Sequence, residues 1–330
     1  MAEEQVRPTG SAHRRGPLFW VKIAFACAVV LAGGLYLVRS WAEVSRALAE
    51  MGWLPMVGSL LPAAGGVIAA MLAWRTLLAD LGAPLPVRDG GRVFFASQLG
   101  KYLPGSVWPI LAQIELARDL KVPRALSLAV SVLAVVLSLS VGLIVALVTL
   151  PFGAFGPLPD VLGQGLWWVL PAVPVLLVAL HPRVTVGALN VVLRLLRRAP
   201  LTVRPSWRGM ARAALWQTLS WVLLGLHCYV LVLGYGADPA RALPLAIGGF
   251  ALAYCSGVLF LPAPAGLGVR DLVLAASLAV VLTPPQAFAV VLVSRFALAL
   301  VDGALAAAWW LRLVSGFRGY STDRHSRPRT

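Results

Sequence analysis

Arg295 and Asp302 stand seven residues apart inside one long apolar run, 286–311, so on a helix they share a face about two turns apart. An ionisable group near the centre of a membrane helix costs at least ~2.5 kcal/mol. Such a pair therefore needs a partner or a ligand. Two readings fit: an internal salt-bridge staple between helices, or Arg295 on a lipid phosphate with Asp302 balancing it or meeting a cationic group. Arg270 and Asp271 lie in the apolar stretch 264–283, and Lys101 and Glu115 lie in 93–117, with Arg118 just after it. Glu115 and Arg118 are one turn apart and either pair with each other or form the mouth of a headgroup site beside Gln113. Lys101 would then be the compact charge that seeks phosphate. The substrate-binding set expected on these grounds is Lys101, Glu115, Arg118, Arg270, Asp271, Arg295 and Asp302.

These residues cluster around two interruptions of the apolar pattern, ASQLGKYLPGSVWPI at 96–110 and SGVLFLPAPAGLGVRD at 256–271. The breaking residues are Gly100, Pro104 and Gly105 in the first, and Pro262, Gly266 and Gly268 in the second. Broken backbone at membrane depth leaves N–H and C=O groups that lipid cannot satisfy, so it persists only against protein or a wet cavity. A pair of broken segments, one in each half of a transporter, is the best sequence pointer to its substrate site. Simple helix kinks are the structural alternative.

The elements that hold these residues follow from composition. Of 330 residues, 59% are apolar and 12% charged, and the mean hydropathy is +0.84. Half the usual ~25% charge cannot cover a water-soluble globule, so the chain is expected to be an all-α polytopic membrane protein. A crossing needs about 20 apolar residues. Candidates are 19–38, 53–79, 125–150, 164–180, 213–233, 243–262 and 286–311, with 264–283 as an eighth. The domain boundaries expected are a basic tail at 1–18, a single transmembrane domain at 19–313 and a basic tail at 314–330.

The formal charge of +15 would suggest nucleic acid in a soluble domain, but here it reports orientation. With the N-terminus inside, the outer loops 39–52, 151–163, 234–242 and 283–285 hold only Arg39, Arg46 and Arg241, and spans hold Arg75 and Arg295. The other 23 of the 28 Lys and Arg then face the cytoplasm, as the positive-inside rule requires. A full crossing at 93–117 would invert every later loop, so that stretch is expected to be re-entrant. Both termini are expected in the cytoplasm and the protein in the cell membrane. The basic segment 184–198 suits a helix lying in the headgroup plane, or an ordinary retention signal. Arg75 is expected to snorkel.

Cys27, Cys228 and Cys255 all lie in apolar stretches and read as core thiols. The four histidines are too scattered for metal ligation, and His227 reads as a hydrogen-bonded packing residue. No phosphate loop, triad or metal motif appears, so no cofactor, no metal and no enzymatic activity is expected. A membrane glycosyltransferase would need acidic residues on outer loops, which offer only Glu43, Glu50, Asp160 and Asp238.

The runs PGSVWPILAQIELARD, LPAPAGLGVRD and VLVSRFALALVDG resemble, in order and spacing, the transmembrane region of the lysylphosphatidylglycerol synthase and flippase family, over about 90–311. Glu115 and Arg118 match its first motif, with Ile114 where glycine is usual. Gly266, Leu267, Gly268 and Val269 match its second, with Ala265 for the first glycine and Asp271 for a glutamate. Arg295 matches its arginine in the last span. The resemblance implies lipid translocation, with membrane lipids (an anionic or aminoacylated phospholipid, or a glycolipid) as partners and no nucleic acid. With no room expected for a synthase domain, either a separate lipid-modifying enzyme supplies the substrate or the substrate is a different phospholipid or glycolipid. A noncatalytic partner of an envelope-assembly enzyme and a small-solute transporter are the rival readings.

Overall fold

The computed structural model describes residues 41–102, 107–155, 180–195, 204–259 and 268–322, together with Val38, Arg39, Pro174 and Val178; for 188, 189, 192, 193, 195 and 311–322 it describes the backbone only. All described elements are helical. In chain order they are α1 (Trp41–Met51), α2 (Trp53–Gly58), α3 (Leu60–Asp80), α4 (Val87–Gln98), a 3-10 turn (Leu99–Tyr102), α5 (Trp108–Arg118), α6 (Arg124–Phe155), α7 (Pro182–Leu195), α8 (Trp207–Leu233), α9 (Pro239–Leu259), α10 (Val269–Leu278) and α11 (Pro284–Thr322).

Five helical stretches among the described residues are long and apolar enough to cross a bilayer: Trp53–Asp80, Arg124–Phe155, Trp207–Leu233, Pro239–Leu259 and Pro284–Trp310. They coincide with five of the expected crossings, so this is a helical membrane protein. Several run past the expected limits because polar ends such as Arg124, Arg208 and Arg212 extend a helix beyond its apolar stretch. The expected crossings 19–38 and 164–180 lie outside the described residues, as does the tail at 1–18. Of the eighth candidate, 264–283, residues 264–267 lie outside the described residues and Val269–Leu278 form α10. At the other end α11 continues through Thr322, into the stretch expected as a basic tail.

The largest interface joins α3 to α8, and its polar ties fix the register. The Ser59 carbonyl meets His227 Nδ1 at 3.0 Å, the Gly66 carbonyl accepts from Ser220 Oγ at 2.9 Å, and Asp80 Oδ1 accepts from Ser206 Oγ at 2.6 Å. Their sequence separations fall from 168 to 154 to 126, shrinking by twice each step along α3, as in-register antiparallel helices require. Ser206 also caps α8, accepting from Gly209 N–H at 2.9 Å while its own N–H donates to Asp80 Oδ2 at 2.6 Å. Such a cap contributes about 1 kcal/mol.

Lipid tails are as apolar as leucine, so membrane helices associate through close packing and internal hydrogen bonds. Ala63, Ala213, Ala246 and Ala251 are accordingly almost fully buried between helices, and Trp74, Phe95, Trp221 and Phe250 fill the core. Leu61, Leu215, Phe296 and Leu300 stay exposed on the outer faces of the spans. His227 is wholly buried: its Nδ1–H donates to the Ser59 carbonyl, so Nε2 accepts from Ser294 Oγ at 2.9 Å, which ties α8 to α11. That is the packing role its sequence context suggested. Cys228 and Cys255 are buried free thiols, and Cys27 lies outside the described residues. Arg75, expected to snorkel, is half-buried, and its Nε donates to the Leu85 carbonyl at 2.6 Å and holds the turn that leads into α4. At the far end of α8, Tyr235 Oη donates to the Ala47 carbonyl at 2.9 Å, and burial, with Glu50 nearby, pushes its phenol above its ordinary pKa.

The first broken segment forms a helical hairpin. α4 and α5 pack on each other across the 3-10 turn, and α5 then packs on α6. Of the basic segment expected at 184–198, residues 184–195 belong to α7, with Arg194 exposed and Thr185 and Val186 buried, and 196–198 lie outside the described residues.

Candidate functional site

The site lies where the α4–α5 hairpin and the short helix α10 meet α11. In the first break the 3-10 turn carries Lys101 and Tyr102. Gly100 opens that turn against the start of α5: a Cβ there would meet the Trp108 and Pro109 backbone at 3.0 Å, which keeps larger residues out. Pro104 and Gly105 lie outside the described residues, as do Pro262 and Gly266. The second break ends at Gly268, whose φ of 88° is open to glycine and rarely to other residues. That turn aims the Gly268 N–H at Asp271 Oδ2, 3.1 Å away, and starts α10.

Two ion pairs fasten the breaks to the last helix. Asp271 receives Arg295 in a two-pronged contact, Nε on Oδ1 at 2.6 Å and an Nη on Oδ2 at 2.9 Å. Asp302 Oδ2 receives both Lys101 Nζ and Tyr102 Oη, each at 2.6 Å. The two prongs match guanidinium to carboxylate geometry. The side chains of Arg295 and Asp271 are 27% and 22% exposed and that of Lys101 is 33% exposed, whereas Asp302 is 1% exposed. Asp302 is thus the buried member of the two pairs, and the other three side chains are partly exposed. Asp302 Oδ1 is buried and has no hydrogen-bond donor among the described residues.

Arg270 completes the cluster. Its guanidinium lies 5.1 Å from the Phe250 ring and 5.7 Å from the Tyr254 ring, one turn apart on α9. It sits within electrostatic reach of Arg295, Asp271 and Tyr102. Among the described residues no carboxylate pairs with it; aromatic faces hold it by cation–π attraction instead, worth about 2 kcal/mol when desolvated. Lys101, Arg270 and Arg295 against Asp271 and Asp302 leave one positive charge in excess.

Five of the seven sequence-derived site residues are therefore brought together: Lys101, Arg270, Asp271, Arg295 and Asp302. Both ion pairs tie the last helix to another element, which is the interhelical staple among the two readings of Arg295 and Asp302. Arg295 pairs with Asp271 on α10 and not with Asp302 on its own helix. Glu115 and Arg118 lie apart from the cluster. They pair with each other at 3.2 Å, and Glu115 also takes Arg124 at 3.0 Å, all with side chains more than half exposed. Gln113 turns inward, accepting from Ser131 Oγ at 2.6 Å. Sequence reasoning missed Tyr102, Phe250 and Tyr254, because aromatic residues in an apolar run carry no signal of a polar role.

Beside the hairpin, Leu99, Gly100, Trp108, Leu111 and Ala112 line an apolar recess of about 530 Å³, with Glu115 at its edge. It begins at the residues that lead into Lys101.

A comparison with curated proteins finds no match. A match to a protein family covers residues 19–306, which take in both breaks and every residue of the charged cluster. The chain therefore belongs to the family described as the lysylphosphatidylglycerol synthase TM region.

Proposed function

We propose that the protein is a membrane lipid translocase that moves a phospholipid or glycolipid between leaflets, with the headgroup passing the cluster formed by the two broken segments. The observation that carries this reading is Arg270: a guanidinium held by Phe250 and Tyr254, with no carboxylate partner among the described residues, at the junction of both breaks. A cation in that state is ready for a phosphate, and the neighbouring apolar recess would take an acyl chain. Lys101 and Arg295, already paired, would shape the pocket and exchange partners as the headgroup passes. Glu115, Arg118 and Arg124 form a mixed-charge patch at the edge of the recess, suited to the first encounter with a headgroup. Membership in the family supports a lipid-related role.

In this proposal the chain crosses the cell membrane about eight times with both termini in the cytoplasm, acts without catalysis, and receives its lipid from a separate modifying enzyme. The pairing of Arg295 with Asp271 and of Lys101 with Asp302 favours one rival, a noncatalytic partner of an envelope-assembly enzyme, since these ion pairs suit a structural staple. Reconstitution separates the two. Purified protein in vesicles with labelled lipids is expected to exchange at least one anionic, aminoacylated or glycosylated lipid between leaflets. Absence of exchange for every class would overturn the translocase reading.

A further inference from the structure

The stretch between α6 and α8 concentrates positive charge that the cluster on α10 and α11 does not use. From 161 to 237 the sequence contains no Asp or Glu, while 181–212 holds seven arginines. Five of these are exposed: Arg183 and Arg194 on α7, Arg204 just before α8, and Arg208 and Arg212 on its first two turns. Among the described residues none of the five pairs with a carboxylate. Asp80, the carboxylate that meets the start of α8, is taken up by the N–H and hydroxyl of Ser206.

An apolar recess lies among these charges. It measures about 330 Å³ and is lined by Val178, His181, Val184 and Trp207. The His181 and Trp207 rings stack with centroids 5.7 Å apart, which sets the entry of α7 against the start of α8. Arg183 stands two residues from His181, and Arg204 and Arg208 flank Trp207, so cations and recess share one end of the bundle. Trp207 opens one of the five apolar spans and is 59% exposed. Tryptophan at a span end belongs to the membrane–water interface, where its apolar ring and its N–H are both accommodated.

We infer that this recess is a binding site for an anionic phospholipid of the surrounding bilayer, apart from the proposed transport route and sharing no residue with it. An acyl chain would lie against Val178, Val184 and Trp207, and the phosphate among Arg183, Arg204 and Arg208. The arginine fork matches phosphate oxygens, and each basic residue at the surface adds attraction to an anionic leaflet. A soluble anion would leave the recess unfilled, and a zwitterionic phospholipid would fill it but leave the arginines uncompensated. The bound lipid would bridge α7 to α8, on the cytoplasmic side in the topology proposed above.

The test uses the full-length protein in phosphatidylcholine vesicles that contain one of two probes, phosphatidylglycerol or phosphatidylcholine, each with the same photoreactive acyl chain. Crosslinked peptides are mapped by mass spectrometry. Labelling at Val178, Val184 or Trp207 is expected to be at least about fivefold stronger from the phosphatidylglycerol probe, and to weaken as salt is raised. At Leu61, an exposed apolar residue on α3, the two probes should label alike. Equal labelling around the recess, no labelling there, or an equal excess at Leu61 would each overturn the inference. In the double variant Arg204→Gln/Arg208→Gln the preference is expected to shrink below about twofold, and an unchanged preference would also overturn it. Both arginines are exposed, so their loss should leave the fold intact, and the comparison of probes on the unaltered protein needs no variant. The inference does not rest on the translocase reading: selective labelling stands whether or not lipid exchanges between leaflets.

Discussion

Arg295 and Asp271 meet edge to edge, Nε to Oδ1 at 2.6 Å and Nη to Oδ2 at 2.9 Å, across 24 residues of sequence and between two helices. The same carboxylate also receives the Gly268 N–H, so one side chain sets the start of α10 and fixes it to α11. Replacing either partner strands the other charge. Because both are partly exposed, the expected loss lies below the 3–5 kcal/mol of a fully buried pair, at about 1–3 kcal/mol. Thermal unfolding in detergent should show Arg295→Ala and Asp271→Ala each lowering Tm, with a double mutant no worse than the weaker single. Additive losses would mean the pair is not coupled.

Gly268→Ala tests the turn. A Cβ at φ 88° costs about 1–2 kcal/mol, and relaxation of that strain would pull the Gly268 N–H off Asp271. The variant should unfold at a lower temperature than wild type. Gly303→Ala on α11, where no atom lies within 4 Å of an added Cβ, should leave Tm unchanged or slightly raised. Equal stability of the two variants would refute the assigned role of Gly268.

Arg270→Gln removes a guanidinium that no carboxylate among the described residues needs. Its effect should therefore fall on lipid handling more than on stability: leaflet exchange in vesicles reduced at least about tenfold, with Tm within a few degrees of wild type. Arg118→Gln, on the exposed patch, should reduce exchange less than about threefold, as surface ion pairs contribute about 0–1 kcal/mol. The opposite ranking would move the site to α5.

His227→Ala should be the most damaging of the single substitutions in the α8–α11 core. It opens a cavity and leaves the Ser59 carbonyl and Ser294 hydroxyl short of a partner, an expected loss of about 2–4 kcal/mol. Ser294→Ala removes one hydrogen bond and should cost about 1 kcal/mol. Guanidinium or detergent-denaturation midpoints would check the order.

Hydropathy made the five described spans legible, because a crossing must satisfy length and composition along one stretch. The breaks were legible for the same reason in reverse: Gly100 and Gly268 interrupt runs that otherwise qualify. Pairing was less so. Periodicity placed Arg295 and Asp302 on one face of α11, yet it carries nothing about which helix faces them. Asp271 and Lys101 reach α11 from different elements, so the chemistry of each carboxylate depends on tertiary packing. Glu115 and Arg118, whose one-turn spacing needs no tertiary information, did pair as spacing allows. Phe250 and Tyr254 gained their role only because Arg270 lies over them.

The antiparallel match of α3 with α8 has a consequence for how the chain is made. The acceptors at Ser59, Gly66 and Asp80 are synthesised 126–168 residues ahead of the donors that satisfy them. At ~5–20 residues per second, α3 waits on the order of ten seconds before its interface with α8 can form. Insertion and final assembly are therefore separate events for this protein, and the second half of the chain acts as the template on which the first half settles.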